Sequence, residues 1–227
     1  MIEAIAAIFS LWCVWLAVKN NKWTWPIGII GVGAYIIVFW LAKLYADFGL
    51  QIIFMAQGFY GWWYWIGGRK KIEPPISKMS NWDIFVITPI ALGVSTWALG
   101  ILLHKYTDAA LPYFDALAST TSLVANWLLA KRKLENWYLW IPVNLLYIGI
   151  FIYKEMPISA VLYVIFFVLA IKGFYDWRKE YREQFIIFSQ KNRYKPTTLV
   201  KLSSYDIEES VEQVKKSDFV FSIRKVF

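Results

Sequence analysis

Seven apolar stretches recur along the chain, separated by short charged segments, and no other feature constrains the fold as strongly. They cover Ala4–Val18, Trp25–Leu41, Phe48–Ile66, Ile84–Leu103, Ala116–Ala130, Trp137–Tyr153 and Ile158–Trp177. A helix perpendicular to a bilayer needs about 20 apolar residues. Several of these stretches are shorter, so flanking Trp, Tyr and Lys must complete the crossing. Of the 227 residues, 59% are hydrophobic, against about 45–50% in an ordinary soluble domain. The expected fold is an all-α polytopic membrane protein with seven transmembrane helices. Many of the 14 Trp lie where apolar runs meet charged residues, the position of an aromatic belt.

The net charge of +8 does not point to nucleic acid, because the basic residues sit in short loops between the apolar runs. Alternate loops hold Lys19 and Lys22, then Arg69, Lys70, Lys71 and Lys78, then Lys131, Arg132 and Lys133, nine in all. The other loops hold only Lys43, Lys105 and Lys154. Basic loops face the cytoplasm, so the N-terminus is expected outside and the C-terminus inside. The first stretch has no basic segment and no small-residue cleavage site before it, which reads as a retained span. The single cysteine, Cys13, lies in that stretch and has no intramolecular disulfide partner; a small buried apolar role is expected.

An internal repeat is visible. Gly58-Phe59-Tyr60-Gly61-Trp62 resembles Gly173-Phe174-Tyr175-Asp176-Trp177 at an offset of 115, and Pro26 pairs with Pro142 at 116. Trp15-Leu16-Ala17-Val18-Lys19 resembles Trp127-Leu128-Leu129-Ala130-Lys131 at 112. Spans one to three thus repeat as spans five to seven. The expected organisation is a first three-helix unit over 4–66, a linking helix over 84–103, a second unit over 116–177 and a cytoplasmic tail over 178–227. Four spans separate the copies, an even number, so the repeats are parallel, and such carriers bind solute where the copies meet. In the tail, Asp206–Lys216 reads as a short helix and Phe219–Ile223 as a weak strand.

Polar residues inside the spans are few and therefore informative. On a helix, Trp137, Trp140, Asn144 and Tyr147 fall on one face. A carboxamide in hydrocarbon without a partner costs roughly 2 kcal/mol or more, so that face should meet a cavity, a ligand or another helix. Gln51, Gln57 and Tyr60 in span three, with Thr121 and Asn126 in span five, complete a candidate binding set. Each has a plainer reading. Hydroxyls bond back to their own helix, amides join helices, and Trp137 at a helix start suits a belt or a lower gate. Lys172, aligned with Gln57 by the repeat, is expected to snorkel to the interface.

Absences narrow the function. No acidic residue lies mid-span, although ion-coupled carriers usually need one. Phosphate-binding glycine loops, metal-ligand spacing and nucleophile constellations are missing, so neither an enzyme nor a cofactor is expected. A uniporter for an uncharged or cationic small molecule remains.

At Trp137-x-x-Trp140 followed by Asn144-x-x-Tyr147, the chain resembles the Pnu family of bacterial vitamin transporters. Trp25-Pro26-Ile27-Gly28, Tyr45-Ala46-Asp47, Leu50-Gln51, Tyr60-Gly61-Trp62 and Tyr175-Asp176-Trp177-Arg178 are similar to that family too, so the likeness spans roughly residues 4–180. The resemblance implies a three-plus-one-plus-three bundle with the plan of the SWEET sugar carriers, assembled as a homotrimer in the bacterial inner membrane. It implies facilitated diffusion of nicotinamide riboside into the cytoplasm, where a soluble kinase would trap it for NAD synthesis. Siblings carry thiamine or riboflavin, and a non-transporting binding subunit is the rival of another class.

Overall fold

The computed structural model describes residues 2–41, 45–68 and 73–193. Seven α-helices follow in order: α1 Ile2–Val18, α2 Thr24–Leu41, α3 Tyr45–Trp65, α4 Thr88–Tyr106, α5 Pro112–Ala130, α6 Asn136–Tyr153 and α7 Pro157–Arg193. A π-helical turn, Asp83–Ile87, runs directly into α4. Met1–Phe185 form one compact unit and Ile186–Phe227 a second. The expected tail helix Asp206–Lys216 and strand Phe219–Ile223, and the loop cations Lys43 and Arg69–Lys71, lie outside the described residues.

Local chemistry sets the helix starts. Pro26, Pro112 and Pro157 each lie in a first turn, where a missing N–H leaves no bond unmade. Ser80 accepts the Asp83 amide at 3.1 Å and donates to the Asp83 carboxylate at 2.8 Å, which opens the π turn. Pro142 is the exception, inside α6, where it removes one backbone bond. The seventh helix does not stop at Trp177 as the hydropathy suggests but continues to Arg193, because the charged residues beyond Trp177 are good helix formers.

By length and apolar composition, Thr24–Leu41, Asp83–Tyr106, Asn136–Tyr153 and Pro157–Ser189 can each cross a membrane, and Ala7–Val18 is a shorter apolar helix. α3 and α5 carry the amides and hydroxyls. In α5, nine residues are buried, among them Thr120, Thr121 and Ser122. The polar helices are thus shielded by apolar neighbours whose outer faces are bare: Phe85 is 75% exposed and Ile158 87%. Such a surface suits lipid and not water.

The strongest packing lies at the end carrying the basic loops, and it recurs at a constant separation of 112 residues (Trp25 to Trp137). α1 ends on Asn20 at φ 49° and α5 on Arg132 at φ 50°. Asn20 N–H donates to Ala17 O at 3.0 Å, and Arg132 N–H to Leu129 O at 2.9 Å. Both are left-handed helix stops that satisfy terminal carbonyls. A Cβ on Gly61 would stand 2.6 Å from the Trp25 ring, and one on Gly173 2.5 Å from the Trp137 ring. Trp25 meets Trp65 edge-on at 5.6 Å, and Trp137 meets Trp177 in the same way at 5.6 Å.

The two halves then exchange donors. The Trp65 indole N–H donates to Leu129 O at 3.3 Å and Ala130 O at 3.1 Å, at the end of α5. The Trp177 indole N–H donates to Ala17 O at 2.9 Å, at the end of α1. Trp65 and Trp177 are both 0% exposed and lie 5.9 Å apart. This geometry corrects two of the sequence matches. Gly173 corresponds to Gly61 and not Gly58, because each is the glycine that admits a tryptophan ring. Lys172 accordingly corresponds to Tyr60 and not Gln57.

A segment between α3 and α4 is strapped across the same end. Ser77 N–H donates to Arg132 O at 3.0 Å and Leu134 N–H to Ser77 O at 2.9 Å. Ile76 N–H donates to Gln184 at 3.1 Å, and Met79 N–H to Glu135 at 3.0 Å. Arg132 donates to Pro74 O and lies 4.3 Å over the Trp65 ring. Burial lowers the Arg132 pKa, opposed chiefly by Glu73, and raises that of Glu135.

Two substitutions test this packing by thermal unfolding of the purified protein. Gly173→Ala should destabilise by about 1–3 kcal/mol through overpacking against Trp137, whereas Gly149→Ala, with no atom within 4 Å of the new Cβ, should not. Trp177→Phe keeps an apolar ring but removes the indole donor, leaving Ala17 O with the Asn20 N–H alone, at about 0.5–1.5 kcal/mol for the lost bond. Equal melting of Gly173→Ala and Gly149→Ala would contradict the packing account.

Candidate solute-binding site

The hydroxyls of α5 divide into two kinds. Thr120 donates back to Ala116 O at 2.9 Å and meets the Thr96 hydroxyl at 2.8 Å. Ser122 donates to Ala118 O at 2.8 Å. Thr121, between them, is 8% exposed, and its hydroxyl makes no hydrogen bond among the described residues. Asn144 on α6 is 3% exposed, and its carboxamide is likewise unbonded among them. Neither group is sealed away: the fully enclosed, unpartnered side-chain atoms belong to Asn20, Trp25, Arg132, Asn136 and Trp137.

Depth relates the two. α5 ends at Ala130 and α6 begins at Asn136. Thr121 precedes the first by nine residues and Asn144 follows the second by eight, so at 1.5 Å per residue both lie about 12–14 Å from the basic end. That is close to the middle of a ~30 Å hydrocarbon core.

The other amides are differently engaged. Asn126 donates to the Gln57 carbonyl oxygen at 2.8 Å, and Gln57 donates to Leu123 O at 3.2 Å, which ties α3 to α5. Gln51, half-buried on α3, makes no side-chain hydrogen bond among the described residues. Tyr60 stacks on Trp127 at 4.9 Å and on Tyr64 at 6.0 Å. Tyr147 packs at 4.5 Å from Tyr163 and 5.9 Å from Phe151. Trp140 is half-buried and bridges the tryptophan core to the cluster of Ala118, Val143 and Ile150.

Trp137 stands apart from these. It is 2% exposed, held between Gly173 and Trp177, with its indole N–H enclosed and unpartnered. The structure therefore brings Gln57 and Asn126 into contact, sets Tyr60 beside them, and packs Trp137 into the core below.

Two lysines near helix ends are paired. Lys154 meets Asp115 at 2.8 Å where α5 begins and α6 ends, and Lys172 meets Asp176 at 2.9 Å. No cluster of metal-ligating side chains occurs among the described residues. Trp127, Tyr64 and Tyr163 were not among the sequence candidates. Tyr64 was legible on the Gln57–Tyr60 stripe, but the other two become neighbours only through helix packing.

Comparisons with known proteins place the chain in a family. The sequence profile of a family described as nicotinamide mononucleotide transporter matches residues 1–179. The nicotinamide riboside transporter PnuC of Escherichia coli is 26% identical over 210 residues, 81% of this chain and 87% of that protein. The riboflavin/roseoflavin transporter RibM of Streptomyces davaonensis is 26% identical over 182 residues, 77% of this chain and 83% of its own length. The crystal structure of a vitamin B3 transporter PnuC superposes with a TM-score of 0.64 at 26% identity, covering 80% of this chain and 82% of that one. These relatives move solutes and are not enzymes. With its profile match over 1–179, the chain belongs to the nicotinamide mononucleotide transporter family of membrane proteins.

Proposed function

We propose that the chain is a uniporter that carries nicotinamide riboside across the bacterial inner membrane by facilitated diffusion. The observation that carries this reading is the pair of unbonded polar groups at mid-depth, the Thr121 hydroxyl and the Asn144 carboxamide. An amide left unpaired in a low-dielectric interior costs about 1–3 kcal/mol, a cost removed when a polar solute binds. Nicotinamide riboside offers a carboxamide and ribose hydroxyls to meet them. Its cationic ring gains about 0.5–2 kcal/mol over an aromatic face, and Tyr60, Trp140 and Tyr147 are the faces at hand. Gln51, Gln57 and Asn126 line the α3–α5 side, and Trp137 forms the packed floor. A nucleotide's phosphate would need an unpaired cation at the level of Thr121 and Asn144; Lys154 and Lys172 are each held by a carboxylate, and Lys131 lies past the end of α5, at the basic end. The nucleoside is therefore favoured over the mononucleotide of the family's description.

In this reading all seven helices cross the membrane, with the N-terminus outside and the basic end in the cytoplasm. The features recurring 112 residues apart support a three-plus-one-plus-three arrangement of parallel repeats. Trimer formation and trapping by a cytoplasmic kinase complete the proposal. A flavin carrier is the second reading, favoured by the equal 26% identity to RibM.

Binding to the purified protein tests this. Nicotinamide riboside should displace labelled nicotinamide riboside far better than riboflavin does. Asn144→Ala should weaken binding about tenfold, near 1.4 kcal/mol, and Thr121→Val by a smaller factor. Unchanged affinity in both variants would reject the site, and preferential displacement by riboflavin would reject the substrate.

A further inference from the structure

The Lys131 ammonium lies over three aromatic rings: Tyr60 at 4.8 Å, Trp127 at 5.0 Å and Tyr64 at 5.6 Å from the ring centroids. It makes no ion pair among the described residues, although Lys22, Lys154 and Lys172 all do. Tyr60 stacks on Trp127 at 4.9 Å and on Tyr64 at 6.0 Å, so the three rings form one stacked aromatic platform within 6 Å of the ammonium, a half-open cage of the kind that attracts organic cations. Here the chain's own side chain fills it.

Two observations separate this cage from the surrounding scaffold. First, it is only half repeated: Trp127 and Lys131 match Trp15 and Lys19, but its two tyrosines have no aromatic counterpart. The scaffold pairs Trp25, Gly61 and Trp65 with Trp137, Gly173 and Trp177, but the positions 112 residues beyond Tyr60 and Tyr64 are Lys172 and Asp176, an ion pair at 2.9 Å. The cage is therefore not required by the recurring packing. Second, it continues the candidate site. Tyr60 and Tyr64 follow Gln57 on α3 by three and seven residues, about 4.5 and 10 Å toward the basic end, and Trp127 adjoins Asn126, which donates to Gln57 at 2.8 Å.

We propose that the Tyr60–Tyr64–Trp127 cage is a cation subsite at the basic mouth of the pathway, plugged by Lys131 when no solute is there. A cationic aromatic solute arriving from the Gln57–Asn126 level takes the rings, and the Lys131 ammonium swings into water. Lys131 thus competes with its cargo. The plug lowers retention at the exit, which favours release, and a neutral solute gains nothing from the exchange. The part concerning cargo rests on the cationic substrate proposed above; the cage itself does not.

Calorimetric titration of the full-length protein separates the two. The probes are tetramethylammonium, which has only a cation to offer, and nicotinamide riboside. Lys131→Gln removes the plug and should tighten binding of both by about fivefold, the factor expected when a self-occupied site is freed. Lys131→Arg keeps a cation and should bind both as wild type. Adding Tyr60→Leu to Lys131→Gln should abolish the gain. Lys131→Gln indistinguishable from wild type for tetramethylammonium overturns the cage. A gain for tetramethylammonium but none for bound nicotinamide riboside overturns its place on the pathway. If nicotinamide riboside binds no variant, the substrate reading fails while the tetramethylammonium result still decides the cage.

Discussion

Two indole N–H groups hold the bundle in register. A helix ending in a low-dielectric interior leaves carbonyls without partners, and a donor from elsewhere in the chain must meet them. Trp65 supplies it for α5 at Leu129 and Ala130, and Trp177 supplies it for α1 at Ala17. Each donor lies across α4 in the chain from its acceptor and adds to the local bonds that Asn20 and Arg132 N–H make to Ala17 O and Leu129 O. The glycines at 61 and 173 follow from the same constraint, since the rings of Trp25 and Trp137 must lie against the helix backbone to leave room for the exchange.

That register fixes the interior above it. With Trp65 anchored to the end of α5, Gln57 two turns earlier falls beside Leu123 and Asn126. Most polar side chains of α5 then find partners, through back-bonding at Thr120 and Ser122 and through the amide pair at Asn126. Thr121 and the half-buried Ser119 on α5 do not, nor do Asn144 on α6 and Gln51 on α3, and of these four Thr121 and Asn144 are the buried ones. The proposed transport site is what remains once the structural hydrogen bonds are accounted for, which explains why it lies mid-depth, away from the tightly packed basic end. The strap of residues 73–82 is tied at that end to Arg132, Leu134, Glu135 and Gln184.

Much of this was legible in the sequence, and for definite reasons. Hydrophobic periodicity and length located every helix, because hydrocarbon tolerates few alternatives. Prolines and loop cations marked the boundaries. Asn144 and Thr121 stood out because polar residues in apolar runs are costly. The exact pairing of the halves was less legible. Gly58 and Gly61 look alike in a five-residue match, and only the position of the Trp25 ring distinguishes them. Gln57 and Asn126 were recognisable as candidates, but not as partners of each other, because a contact between helices leaves no mark in either one's periodicity. The continuation of α7 past Trp177 was hidden by the fall in hydropathy, which reports the end of the membrane and not of the helix. Trp127 carries no sequence signal beyond its repeat match to Trp15, because its contacts with Tyr60 and Lys131 arise from helix packing and the turn after α5.

The central claim is that solute crosses on this chain alone, without an ion and without a phosphate. Purified protein in sealed liposomes, given labelled nicotinamide riboside outside, measures this most directly. The account predicts that the label equilibrates to equal concentrations on both sides, unaffected by sodium or a proton gradient, while labelled nicotinamide mononucleotide stays out. Uptake above the external concentration that needs an ion gradient, or entry of the mononucleotide at a comparable rate, would contradict it.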